Sequence, residues 1–220
     1  MAFVPGCSAA EIQGGLARHI RIGASTIVLR EYVPELFQDV RKRFPGLKLS
    51  LREGFPAHLE DLLQADEIDL AITLVEKKYA PGIHSLALLK LPTVLLVAAN
   101  SRLQSAAELW QRDKIEEPLI CFPPGEPIGR GFQQKLAELD VDWFPSIEAS
   151  SADLIESYVA NGLGIGVSVA IPKKSATTKV RALALEEFPS VTIGALWRGH
   201  KTPLLQAFLD ELQIRAARLS

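Results

Sequence analysis

A two-lobed α/β fold, in which each lobe has its own half-sheet and two strands cross between them, is what this chain predicts. Three observations carry the prediction. Short apolar runs of strand length alternate with amphipathic runs of helical length through most of the 220 residues, a pattern that argues for mostly parallel α/β layering. One apolar run, 92–99, leads out of the first half, and another, 191–197, has no local partner in the second half and reads as the return crossing. A long amphipathic helix over 203–217, with Leu204, Leu205, Phe208, Leu212 and Ala216 apolar, then closes the chain and can pack on the first half.

The first half opens with a strand over 20–24, IRIGA. Ser25-Thr26 follow, then a helix with Val33, Leu36, Phe37, Val40 and Phe44 on one face and Pro34 in its first turn, where proline is tolerated. Pro45-Gly46 ends that helix. Leu47, Leu49 and Leu51 alternate with Lys48, Ser50 and Arg52, as the period of a strand requires. Gly54-Phe55-Pro56 is the next strand-to-helix turn, and a short helix carrying Leu59, Leu62 and Leu63 leads to 68–74, IDLAITL, apolar enough for a central strand. An edge strand is expected over 83–90.

The second half is read as a helix over 104–109, a strand over 118–122, a loop of turn formers over 123–129 and a helix over 130–139. Strands near 145–148 and over 180–185 complete it, with one segment between them that stands out. The stretch 150–169, SSADLIESYVANGLGIGVSV, joins a serine-capped helix to a glycine-punctuated turn and an apolar strand. Asp153 and Glu156 fall where a helix dipole favours acids, and Leu154, Ile155, Tyr158 and Val159 make one apolar stripe. The helix stops at Asn161-Gly162, and glycines at 162, 164 and 166 allow a tight turn and close approach of another segment. They follow a helix and precede a strand, the reverse of the order a dinucleotide fingerprint needs.

Composition narrows the function. At 48% hydrophobic and 23% charged, the chain has the balance of a water-soluble globular α/β protein with sizeable cores. A net charge of −2, with basic residues scattered apart from short runs such as Arg41-Lys42-Arg43 and Lys173-Lys174, argues against nucleic-acid binding by this chain itself. Cys7 and Cys121 make neither a disulfide framework nor a metal spacing and are read as reduced thiols, pointing to the cytoplasm. The start of the sequence lacks the features of a secretory signal and no apolar run reaches membrane-spanning length, so export and membrane insertion are not expected. Histidines 19, 58, 84 and 200 are isolated, and no G-x-S-x-G, P-loop, H-x-x-x-H or C-x-x-C pattern occurs. His58, Glu60 and Asp61 form one acid–base cluster near the second turn, read as water-facing. Catalytic residues, metal ligands and cofactors are therefore not expected.

Five pieces in order, IRIGAS at 20–25, RKRFPGLKLSL at 41–51, EIDLAI at 67–72, PLICF at 118–122 and SYVANGLGIG at 157–166, resemble the effector-binding domain of LysR-type bacterial transcriptional regulators. The resemblance runs from about Arg18 to Leu219. It implies the type 2 periplasmic-binding-protein-like fold: two Rossmann-like subdomains joined by two crossing strands around a cleft. The expected division is a linker remnant over 1–17, subdomain I over 18–93 and 194–220, and subdomain II over 94–193. The family's winged helix-turn-helix, which reads DNA, has no counterpart in the sequence, and Gly14-Gly15 are read as what is left of the hinge to it. Contact with DNA is thus expected only through that missing domain. The family also implies a homodimer or homotetramer, with the helices at 31–44 and 203–217 as candidate surfaces. A second departure follows the glycine turn, where Gly166, Ser168 and Val169 stand in place of the family's bulky apolar residues and early proline.

In open α/β sheets, ligands bind beyond the carboxyl ends of strands, where unpaired N–H groups at helix N-termini favour an anion. Ser25 and Thr26, then Phe55, Pro56 and Ala57, then Ser150 and Ser151 open helices at such places. With the positions that the resemblance carries over, the candidate contacts are Ser25, Thr26, Ile27, Phe55, Pro56, Ala57, Thr73, Gly129, Arg130, Ser150 and Ser151. Ile27 and Ala57, apolar where some relatives carry hydroxyls, favour an effector with an apolar part. Arg130 offers a planar fork for a carboxylate. The expected function is sensing of a small anionic effector that shifts a population of lobe arrangements. A solute-binding protein and an enzyme such as a dehydratase on the same scaffold are the alternatives.

Overall fold

A computed structural model describes residues 19–76, 78–172 and 178–219. The expectations placed on 1–17, including Cys7 and the Gly14-Gly15 hinge, and on Lys173-Lys174 lie outside the described residues. In chain order the elements are β1 (His19–Ala24), α1 (Thr26–Glu31), α2 (Val33–Arg43), β2 (Lys48–Glu53), α3 (Pro56–Gln64), β3 (Leu70–Leu74), β4 (Ile83–Leu91) and β5 (Thr93–Ala98). They continue with α4 (Ala107–Trp110), β6 (Leu119–Cys121), α5 (Pro127–Glu138), β7 (Pro145–Glu148), α6 (Ala152–Ala160), β8 (Ile165–Val169), β9 (Val180–Ala184), β10 (Val191–Arg198) and α7 (Pro203–Ala217).

The chain divides into two compact units. One takes the described residues of Met1–Thr73, Lys77–Leu86 and Ala195–Arg218; the other takes those of Leu74–Glu76, Ala87–Gly194 and Leu219–Ser220. The chain thus changes units inside β4, between Leu86 and Ala87, and again inside β10, between Gly194 and Ala195.

The first sheet has the order β2-β1-β3-β10-β4, with β1 parallel to both β2 and β3. Its central strand β3 is buried at Leu70, Ala71, Ile72 and Thr73, which is why its sequence is apolar without alternation. β4 lies at the edge, as its mixed burial reflects. β2 is the other edge, and there the alternation of leucines does not mark a buried face, since Leu51 is 43% exposed. The segment expected as one helix is two. Pro34 supplies no N–H to hold the turn before it, and α1 ends at Tyr32, whose φ of −114° and ψ of −40° bend the chain before α2 starts at Val33. α7 packs on α2, burying Leu204, Leu205, Phe208, Leu212 and Ala216. Its Thr202 N-cap accepts from Leu205 N at 3.2 Å. Arg215 reaches across to Glu35 at 2.8 Å and to Asp39, joining the two helices by ion pairs beside that apolar contact.

The second sheet has the order β7-β6-β8-β5-β9. It is mixed rather than mostly parallel: β6 runs parallel to β7 and β8, whereas β5 is antiparallel to β8 and β9. Its core joins Phe132 and Phe188 rings stacked at 5.1 Å, with Trp143 6.3 Å from Phe132 and its indole N–H donated to Glu117 O at 2.8 Å. The glycine turn works by close approach. Gly162 has φ +76°, and at Gly164, φ +154°, a Cβ would lie 2.2 Å from Pro118 O. Gly166 leaves room for Ile155 and Val159 of α6, whose side chains would meet a Cβ there at 2.5 and 2.8 Å. The α6 stripe is split: Ile155 and Val159 are fully buried, while Leu154 and Tyr158 are 43% and 39% exposed. Burial pushes the Cys121 thiol up to about 12, so it is unreactive at neutral pH. Among the described residues no helix is long and apolar enough to cross a membrane.

Candidate functional site

In the first unit, parallel pairing carries three strands to one edge. β1 and β2 end in register at Ala24 and Glu53, and Ile72 of β3 stands opposite Ala24. The residues that follow therefore emerge together: Ser25, Thr26 and Ile27 after β1, Phe55, Pro56 and Ala57 after β2, and Thr73 at the end of β3. Gly54 N donates to Ala24 O at 3.2 Å, tying the first two exits.

The caps there are of unequal kinds. Ser25 is exposed and caps α1 without a side-chain bond, so its hydroxyl is not spent on the helix, and the Thr26 hydroxyl donates to the Glu53 carboxylate. Phe55 caps α3 through its carbonyl, which accepts from Leu59 N at 2.9 Å, with Pro56 at the first helical position. Ile27, Phe55 and Pro56 are half-buried, Ala57 is exposed and Thr73 is buried. Glu60, in the acid–base cluster, accepts from Ala80 N at 3.1 Å and so helps hold a loop, while His58 and Asp61 are exposed.

In the second unit β6 and β7 likewise end together, Cys121 opposite Glu148, and Ala149 N donates to Cys121 O at 2.9 Å. Ser151 is the N-cap of α6, accepting from Leu154 N at 3.2 Å, and Ser150 beside it is exposed. The helix expected from Arg130 starts at Pro127, which places Gly129 and Arg130 in its first turn rather than at the end of a loop. Pro127 at the first helical position is the physical reason. Gly129 is buried against the carbonyls of Phe122 and Pro123, which a Cβ would meet at 2.5 and 2.8 Å. Arg130 is not an open fork: it donates to Gly125 O at 3.0 Å and to Glu76 at 2.7 Å.

Glu76 and Glu126 are residues of this neighbourhood that sequence reasoning missed. Burial, with the nearby Glu76 charge, holds the Glu126 carboxyl above its usual range against the pull of Arg130. The signal for Glu126 was its place just before Pro127, an N-cap position; nothing in the sequence marks Glu76 as the partner of Arg130. Among the described residues no group of three or more metal-ligating side chains is gathered.

The LysR substrate binding domain model matches residues 13–217. Among curated proteins, the chain is 28% identical over 163 residues to the HTH-type transcriptional regulator CysB of Burkholderia cenocepacia, covering 72% of this chain and 50% of that protein. It is 27% identical over 181 residues to the regulator cbl of Escherichia coli, covering 80% and 56%. The chain thus spans about half the length of the curated relatives it matches. Among solved structures, HinK, a LysR family regulator of Pseudomonas aeruginosa, superposes with a TM-score of 0.77 at 23% identity, covering 92% of this chain and 71% of that one. The BenM effector binding domain with its effector benzoate gives 0.73 at 17%, covering 91% and 92%. The effector binding domain of QuiR in complex with shikimate gives 0.74 at 19%, covering 91% and 97%. These likenesses show the two-lobed periplasmic-binding-protein-like fold expected from the sequence, and with the family match they make this chain a member of the LysR substrate-binding-domain family.

Proposed function

We propose that this chain is the effector-sensing regulatory part of a LysR-type transcriptional regulator, binding a small anionic metabolite at the carboxyl ends of its strands. The observation that carries the reading is the shared exit of β1, β2 and β3, which brings Ser25, Thr26, Ile27, Phe55, Pro56, Ala57 and Thr73 to one edge. Gly129, Arg130, Ser150 and Ser151 are the contacts proposed in the second unit. The reading is of a binding protein, not an enzyme, in keeping with relatives that are transcriptional regulators.

Benzoate and shikimate, bound by two proteins of this fold, are both monocarboxylates on a six-membered ring, which supports a carboxylate carried on a ring-sized body. Half-buried Ile27 and Phe55 suit such a body. The Glu76 and Glu126 carboxylates near Arg130 argue against a bare multivalent anion there, because like charges raise its cost of entry. The effector carboxylate takes the place of Glu76 on Arg130. In the whole regulator, proposed to be a cytoplasmic homodimer or homotetramer, DNA is read by a winged helix-turn-helix outside this chain, and the effector acts by favouring one arrangement of the assembly.

A thermal-shift series with benzoate, shikimate, amino acids, sulfate and phosphate tests the reading. A ligand that binds the native state raises Tm in a saturable way. The expected result is a shift from a monocarboxylate that Ser151→Trp abolishes and Arg130→Ala weakens. Absence of any anion-dependent shift, or a shift untouched by both substitutions, would overturn it.

A further inference from the structure

The second unit holds a cavity of about 610 Å3, lined by none of the strand-end residues described above and of a size that small-molecule sites have. Its floor is one face of the sheet. Val94 stands opposite Ser168 and Leu96 opposite Ala182 across antiparallel pairs, and because side chains opposite one another share a face, these four line it together with Val180. The floor is apolar except for one hydroxyl.

Ser168 is 3% exposed, and no described residue partners its side chain. Its oxygen is not among sealed-off polar atoms, so it opens into the cavity. A hydroxyl that opens into such a space is reached by water in the free protein and can exchange that water for a hydrogen bond to a ligand. Three charged residues line the cavity, Glu156 of α6, Lys90 of β4 and Arg181 of β9; the Arg181 guanidinium is spent on the carbonyls of Ser101 and Leu103, and the other two carry opposite signs, so the lining is not built around an ion of either charge.

We propose that this cavity is a second ligand site, separate from the strand ends, which takes a small neutral molecule with an apolar body and one hydroxyl or amide group held by Ser168. The proposal does not depend on the effector reading.

The probes are p-cresol, toluene and benzoate, titrated separately into the purified chain while the methyl NMR signals of Val94, Leu96 and Val180 are followed. p-Cresol is expected to move all three in a saturable way, and Ser168→Ala to weaken it by roughly tenfold while leaving the weaker binding of toluene unchanged. Benzoate should move them less than p-cresol. Ala182→Leu fills the floor conservatively and should abolish binding of both neutral probes, its native methyl spectrum certifying the fold. p-Cresol binding equally well to Ser168→Ala, persisting in folded Ala182→Leu, or never saturating would overturn the site.

Discussion

Arg130 and Glu76 stand 54 positions apart in the chain and meet at 2.7 Å, guanidinium Nη2 to carboxylate Oε1. Both side chains are substantially exposed, 43% and 48%, so the pair contributes little to stability and is free to exchange one carboxylate for another. Glu76→Gln should therefore change unfolding free energy by less than about 1 kcal/mol while strengthening binding of a monocarboxylate effector by up to about fivefold. Urea unfolding and calorimetric titration check the two halves, and weaker binding in Glu76→Gln would count against the exchange.

Two neighbouring serines separate a cap from a contact. Ser151 accepts from Leu154 N and Ser150 makes no such bond, so Ser151→Ala should cost about 1 kcal/mol of stability and Ser150→Ala close to nothing. Denaturant midpoints at constant m-value decide it; equal losses would show that the cap does not act through Ser151 alone.

Gly164 combines a φ of +154° with a Cβ position 2.2 Å from Pro118 O, and a backbone carbonyl that accepts from Ile165 N at 2.9 Å cannot step aside as a side-chain tip can. Gly164→Ala should destabilise by about 3 kcal/mol or more, from strained backbone and steric conflict together. Gly162→Ala, with φ +76° but open space around it, should cost about 1 kcal/mol, and thermal unfolding of the two variants compares strain with strain plus collision.

Asp39 is held below the usual carboxylate range first by the Lys42 ammonium, 2.6 Å away, and then by Arg215. Because the folded value lies below the unfolded one, the stability it contributes is complete above the unfolded value and is lost as pH falls through the depressed folded value. Asp39→Asn should therefore flatten the acid limb of the stability curve and leave its slope near neutrality unchanged, as measured by urea midpoints at a series of pH values. A slope change confined to pH above 6 would contradict the assignment.

Much of this was legible in the sequence because strand and helix periods differ and because parallel strands place their exits on one edge. That β1, β2 and β3 would open onto helices at one edge followed from their alternation with helices, and the return strand was visible as an apolar run without a neighbour. Other features were not. Spacing put Leu154 and Tyr158 on the same side of α6 as Ile155 and Val159, yet it could not say that Gly166 admits only the latter pair. Pro34 was read as a tolerated first-turn residue; that the chain would also bend before it at Tyr32 depends on packing. Arg130 read as an open fork because its partner is remote in sequence. Ser168 stood out as a departure from the family's apolar residues, but a strand's period alone does not say which face lines a cavity.

The return of β10 to a place between β3 and β4 bears on how the molecule is made. Strands β5 to β9 form their sheet from one uninterrupted stretch of chain, so that sheet can be completed while synthesis is still under way. The first sheet cannot. From the moment β3 and β4 leave the ribosome until Val191–Arg198 follows, each has an unpaired edge open to any passing strand, and a chaperone that shields this edge has a defined interval in which to act.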